Sequence, residues 1–348
     1  MMRAMSGIAV AAALLGWGAA AAVPAQAREF TDSAGRTVEL PADVERVYPS
    51  GHPASILLYT LAPDTLLGWT RELPFDMGGL MPQRYQELPV IGRLGGRGDT
   101  ANLERVLRLD PEVIFDYGAV RDPYTSMADR LQRQTGIPNV LLEGHFQALP
   151  QSYRKLGELL GRPERAETLA AYAEETLALA RQIRDTVPER QRPRVYYGRD
   201  SDGLTTAFEG SLNAEILALV GARNVASGVD EPGLGSVGLE QVLAWNPETI
   251  VTINPNFHDS LQDPDPVWSK IEAVRQGRVY LAPMRPFGWF DRPPSVNRLI
   301  GVRWLLHLFY PERMDGDLRA EVRRFYELFY HVEPSPAQLD RLLGRAMP

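Results

Sequence analysis

His52, His145 and His258 each follow a short apolar run. Neutral imidazole is a common transition-metal ligand, so three such rings on loops of one cleft could hold an ion. The chain has no Cys and no His-x-x-x-His spacing, and each ring reads equally well as a loop histidine bonded to backbone. His52 also precedes a helix start, where free N–H groups favour anions. Arg199 and Arg285 follow apolar runs in the second half. Each guanidinium could clamp a carboxylate, phosphate or oxyanion through its planar fork, or be ordinary surface charge. Tyr117, Tyr197, Phe257, Phe287, Trp289 and Phe290 could stack on a flat chelate, catecholate or macrocycle, although aromatics also belong to cores. The segment from Arg285 to Arg292 concentrates aromatics, Gly, Pro and charge after an apolar run, and is expected to line a cleft.

The elements that must position these groups alternate. Apolar runs at 44–48, 66–69, 90–91, 112–117 and 139–142 read as strands, with helices predicted over 54–61, 102–109 and 124–134. The second half restarts with strands at 194–198, 205–208, 248–253 and 279–284. Helices are predicted there over 211–220 (Ser211 as N-cap), 239–244, 294–309, 318–330 and 336–343. Strands alternating with helices imply a mainly parallel sheet covered on both faces. Residues 32–36 read as a hairpin turn. Between the halves, 151–160 and 164–187 keep helical periodicity with no strand between them. The second stretch is a natural rigid connector, or alternatively a covering helix of one domain.

One phrase occurs twice. Residues 102–116 and 238–252 share Leu-Glu-x-Val-Leu, a polar residue, Pro-Glu, and a short apolar run. Repeats this far apart point to two similarly built halves rather than a solenoid. In open α/β sheets ligands sit beyond the carboxyl ends of the strands. That rule selects loops 49–53, 69–76, 117–123, 143–146, 199–203, 209–211, 254–259 and 285–292.

Arg3, an apolar run over 8–23 and Ala25-Gln26-Ala27 read as a secretory signal peptide with cleavage after Ala27. The run is short of the ~20 residues a spanning helix needs, and no Cys follows it for lipid attachment. A net charge of −7 does not favour nucleic acid. The expected division is 1–27 leader, 28–150 first lobe, 151–190 connector region and 191–348 second lobe.

The order and spacing of several pieces resemble a known family. These are Asp32-Ser33-Ala34-Gly35-Arg36-Thr37-Val38, Val44-Glu45-Arg46-Val47 before a Gly/Pro loop, the two repeated phrases, and Gly157-Glu158-Leu159-Leu160-Gly161 before the long helix. The chain resembles the periplasmic substrate-binding proteins of ABC importers, in the group whose lobes are joined by a single long helix. The resemblance implies two Rossmann-like α/β lobes with the ligand cleft between them. It implies a monomer without a cofactor of its own, partnered by an inner-membrane permease dimer. The ligand would be an iron–siderophore complex, haem or a cobalamin-like chelate. A compact oxyanion such as molybdate or tungstate, or a bare metal ion, is the alternative. One carboxylate on each lobe then pairs with permease arginines, and the matching positions are Glu104 and Glu240. Without the resemblance, both are ordinary first-turn residues favoured by the helix dipole. Gly51-His52-Pro53 departs from the Gly-Pro-Ser-like loop of many members, which keeps the oxyanion open. The competing enzyme reading is a chelatase using His258 and Asp259, but no nucleophile triad, phosphate loop or His-Glu-x-x-His is present.

Overall fold

The computed structural model describes residues 27–74, 76–94, 101–228 and 233–348; the expected leader lies outside them except for Ala27. Two parallel sheets form the scaffold. In the first lobe, Val47–Pro49, Val113–Gly118 and Asn139–Glu143 pair in that order. Parallel bridges from Val47 to Leu66 and from Trp69 to Val90 extend this sheet. In the second lobe the order is Val279–Leu281, Thr249–Thr252, Arg194–Gly198 and Arg223–Asn224, again all parallel. All four residues of Thr249–Thr252 are buried, as in a strand covered on both faces. The predicted turn at 32–36 joins an antiparallel pair, Arg28–Thr31 and Thr37–Leu40. The Asp32 carboxylate accepts the backbone N–H groups of Ala34 and Arg36 and the Arg36 guanidinium.

The helices of the repeated phrase are Leu103–Arg108 and Leu239–Trp245. Each is followed by a non-glycine residue in the left-handed region, Asp110 (φ 48°) and Asn246 (φ 41°). Asp and Asn tolerate that region better than other side chains, and the Pro that follows cannot continue a helix. The polar-Pro turn is therefore the same helix stop in both lobes.

The long helix is Pro163–Thr186, 24 residues. It packs on Leu149–Leu160 on one side, and on Arg298–Phe309 and Glu215–Leu219 of the second lobe on the other. A Cβ at Gly157 would lie 2.2 Å from the Ala166 Cβ, so only glycine lets the paired helices meet there. Arg303 is nearly buried. It donates to Thr176 (2.9 Å) and Glu175 (2.8 Å) and lies over the Tyr172 ring. One apolar core runs through both lobes, from Val47 and Val140 to Trp304, Phe325 and Phe329. Among the described residues no helix is long and apolar enough to cross a membrane.

Two expected helix starts lie four residues further along. Ser211 caps no helix; its hydroxyl accepts the Asn213 N–H (3.2 Å), and the helix begins at Glu215. The helix expected from 294 begins at Arg298, because 295–299 first form tight turns, with Arg298 N–H on the Ser295 carbonyl.

Candidate functional site

A cleft of about 640 Å³ opens between the lobes. Its first wall is built from the carboxyl ends of two strands and of two neighbouring extended segments joined to the sheet by single bridges. Ser50, Gly51, His52 and Pro53 follow Val47–Pro49; Thr70 and Arg71 follow the run 66–69; Arg93 and Leu94 follow the run 90–91; Asp116 to Ala119 close Val113–Gly118. Tyr124 and Met127 of Tyr124–Thr135 complete it. Leu212, Arg292 and Pro293 of the second lobe face them.

His52 opens the helix His52–Leu61, whose N-cap, Gly51, has no side chain to satisfy the first N–H groups. Burial, and then the Arg71 guanidinium, push its imidazole down to about 3, so it is neutral at physiological pH. Its ring meets Phe287 edge-on at 5.3 Å, and its buried Nδ1 has no hydrogen-bond partner among the described residues. Burial raises the Asp116 carboxyl, against hydrogen bonds from Ser50 and the Tyr117 N–H. Tyr117 is 3% exposed; burial raises its phenol, which also lacks a partner among the described residues. Arg71 is exposed and makes no ion pair or hydrogen bond among the described residues. Arg292 adopts φ 61° and reaches Asp200 at 2.6 Å. Three guanidiniums, a neutral imidazole and a carboxyl that resists ionisation make an anion-attracting cleft.

Of the residues singled out in the sequence, His52 and Tyr117 meet in this cleft, and the others lie elsewhere. Arg199 is spoken for: its Nε donates to Asp291 at 2.7 Å, and both side chains are almost buried. Trp289 is fully buried and donates its indole N–H to the Tyr326 hydroxyl (3.2 Å). Phe287 and Phe290 pack in the same core. The segment between Arg285 and Arg292 therefore turns its aromatics inward instead of lining the cleft. Its Gly288 allows this, since a Cβ there would lie 1.8 Å from the Asp291 carbonyl oxygen. Arg285 pairs with Asp76 (3.3 Å) beside a different cavity. His258 Nδ1 lies 3.0 Å from both Asp259 Oδ1 and the Arg345 guanidinium, and its tautomer decides whether it donates to the first or accepts from the second. His145 bonds Glu143 at 2.5 Å and lines a separate groove. The three histidines do not converge, and no group of three His, Cys, Asp or Glu among the described residues is placed to hold a metal.

Arg292 belongs to the segment expected to line the cleft and does line it, whereas Arg71, Arg93, Asp116 and Tyr124 carry no individual expectation from the sequence. Arg71 and Arg292 sit in loops that the strand-end rule selects, and the same rule applied to the run 90–91 finds Arg93. Asp116 carries no such signal, because its burial depends on packing. Glu104 and Glu240 are both exposed, in the first turns of Leu103–Arg108 and Leu239–Trp245.

Comparison with known proteins agrees with this architecture. An ABC transporter solute binding protein from Sulfurospirillum deleyianum is 30% identical, with a TM-score of 0.84 over 91% of this chain and 99% of that one. The Haemophilus influenzae molybdate periplasmic binding protein MolA, solved with molybdate, is 24% identical (TM-score 0.72; 89% and 99% covered). A Roseiflexus periplasmic heme-binding protein is 21% identical (TM-score 0.58; 78% and 100% covered). No curated protein matches the chain. The family model described as Periplasmic binding protein matches residues 81–286, and the chain belongs to that family of ABC importer solute-binding proteins.

Proposed function

We propose that this protein captures an anionic solute in the inter-lobe cleft and delivers it to an inner-membrane permease, docking through Glu104 on one lobe and Glu240 on the other. The observation that carries this reading is the convergence of Arg71, Arg93 and Arg292 on one cleft beside a neutral His52. A volume of about 640 Å³ lies in the range of drug-sized ligands. It suits an anionic iron chelate whose metal brings its own ligands, since no metal-holding cluster is found among the described residues. Flat macrocycles such as haem or a cobalamin-like ring have less support, because Phe287, Trp289 and Phe290 pack in the core.

A second reading, a compact oxyanion such as molybdate or tungstate, is favoured by the cleft's chemistry. Among the described residues its lining has two phenol rings, Tyr117 and Tyr124, beside three guanidiniums and one imidazole, and MolA of the same fold holds molybdate. Native mass spectrometry with elemental analysis, on protein taken from its own periplasm, separates the readings. Iron with an organic mass supports the first; molybdenum or tungsten without one supports the second. A neutral organic ligand in the cleft would sink both.

A further inference from the structure

We propose a second ligand site in this protein, at another junction of the lobes apart from the cleft around His52, that binds a small amphipathic carboxylate. A cavity of about 300 Å³ lies where Gly78 and Leu80 of the first lobe meet the strand ends of the second and the C-terminal helix Pro336–Leu343. It shares no lining residue with the cleft. Its apolar surface comes from Leu80, Ile253, Leu281, Ala282 and Leu342.

Three guanidiniums border that apolar floor, from two segments: Arg285 after the last strand, and Arg341 and Arg345 at the end of the C-terminal helix. They are not equivalent. Arg345 is committed to Asp259 and His258 and serves as wall. Arg285 pairs with Asp76 at 3.3 Å with both side chains about half exposed, and an exposed pair is weak, so it can change partner at little cost. Arg341 has no ion pair or hydrogen bond among the described residues. The mouth is preformed: Gln338 of the C-terminal helix donates to the Gly78 carbonyl at 2.6 Å, tying the two sides together.

An apolar body with one carboxylate matches this arrangement. The hydrocarbon covers the Leu80, Ile253 and Leu342 surface, and the carboxylate takes the fork of Arg341 with Arg285. A doubly charged inorganic anion would leave the apolar floor uncovered. A volume of about 300 Å³ sits at the small end of ligand pockets, which points to a short-chain acid rather than a full-length lipid.

Hexanoate is the test probe, followed by calorimetry and ligand-observed NMR on the whole protein, with acetate and sulfate as controls. Saturable one-site binding of hexanoate, much weaker for acetate and sulfate, is expected. The double variant Arg285→Gln/Arg341→Gln should weaken it by roughly tenfold or more, the loss expected from a charge-assisted hydrogen bond. Arg71→Gln should leave it intact while weakening the cleft ligand. Unaltered hexanoate binding in the double variant, loss in Arg71→Gln alone, or no saturable binding at tens of millimolar would each overturn the proposal. The cleft ligand's own affinity is read separately, so failure here does not touch the transport reading.

Discussion

Glu112 and Glu248 play the same part in the two lobes. Glu112 Oε2 accepts the backbone N–H groups of Glu45 (2.7 Å) and Arg46 (2.9 Å), and Glu248 Oε2 accepts that of Arg194 (3.2 Å). Arg46 in turn donates to the Asp110 carbonyl, and Arg194 to the carbonyls of Asn246 and Trp245. In each lobe the Glu after the Pro holds the approach to the neighbouring strand, and an arginine there holds the stopped helix. The repeated Pro-Glu is thus a clasp between the phrase and the strand it pairs with.

Removing the clasp should therefore destabilise the fold unequally. Glu112→Ala loses two backbone partners and an ion pair with Arg46 at 3.0 Å, so a loss of about 2–3 kcal/mol is expected from charge-assisted bonds. Glu248→Ala loses one longer bond and should cost about 1 kcal/mol. Urea unfolding midpoints at constant slope measure both. Equal losses would show that the two clasps are not graded by their geometry.

That contrast marks how much the sequence carries. Periodicity places the long helix within a residue or two, because Leu169, Tyr172, Ala173, Leu177, Ala180 and Ile183 recur on one buried stripe. The repeat announces two like halves before any geometry is known. The cleft is legible only in part. Arg199 and Arg292 belong to loops of the same kind, yet one is consumed by Asp291 and the other faces the cleft. Which arginine reaches the cleft depends on long-range partners, 92 residues away for both Arg199 and Arg292, and no local pattern encodes that choice. Trp289 shows the same limit: an aromatic beside Gly and Pro looks alike in sequence whether it turns outward to a ligand or, as here, inward.

Asp291 should be a linchpin of the second lobe. Its carboxylate accepts Arg199 Nε (2.7 Å), the Tyr197 hydroxyl (3.0 Å), Asn213 Nδ2 (2.7 Å) and the Arg292 N–H (2.7 Å). Asp291→Ala leaves a nearly buried guanidinium unpaired, which costs about 3–5 kcal/mol. It also frees the backbone that aims Arg292 into the cleft, so ligand affinity should fall with stability. Denaturation and a binding titration on the same sample test this. Full ligand affinity in a destabilised Asp291→Ala protein would show that Arg292 is positioned by other contacts.

His52 should make the fold sensitive to acid. Its folded-state value is pushed to about 3, chiefly by burial and then by Arg71, below the ordinary 6.5 of an unfolded chain. Between those values the unfolded chain binds a proton that the folded chain refuses, so stability falls as pH drops from about 6.5 toward 3. His52→Gln should flatten that part of the stability curve. Arg71→Gln should raise the imidazole value while leaving it below 6.5, because burial is the larger cause. Histidine Cε1–H shifts followed through a pH titration report it directly. A normal value near 6.5 in the unaltered protein would refute the buried, neutral ring.

The lobes should move little on ligand binding. The core is continuous across them, and Glu215 takes both the Arg298 guanidinium (2.9 Å) and, at 3.3 Å, the Phe146 N–H of the other lobe. The Tyr59 hydroxyl also donates to the Tyr330 carbonyl, 271 residues away. Small-angle scattering should give the same radius of gyration with and without ligand. A clear compaction would mean that this inter-lobe packing breaks and reforms.

Glu104 and Glu240 offer a test that separates docking from capture. Both are exposed, each in the first turn of the repeated helix, and neither lines the cleft. Exposed charges at an interface rim govern encounter and orientation more than folding. Glu104→Arg with Glu240→Arg should therefore abolish uptake in cells while leaving ligand affinity and thermal stability unchanged. Each single reversal should be milder, because one of the two contacts survives. Uptake that persists in the double variant would exclude these two carboxylates as the permease contact. It would leave the repeated helix with its structural task alone: to present a Pro-Glu clasp to the strand beside it.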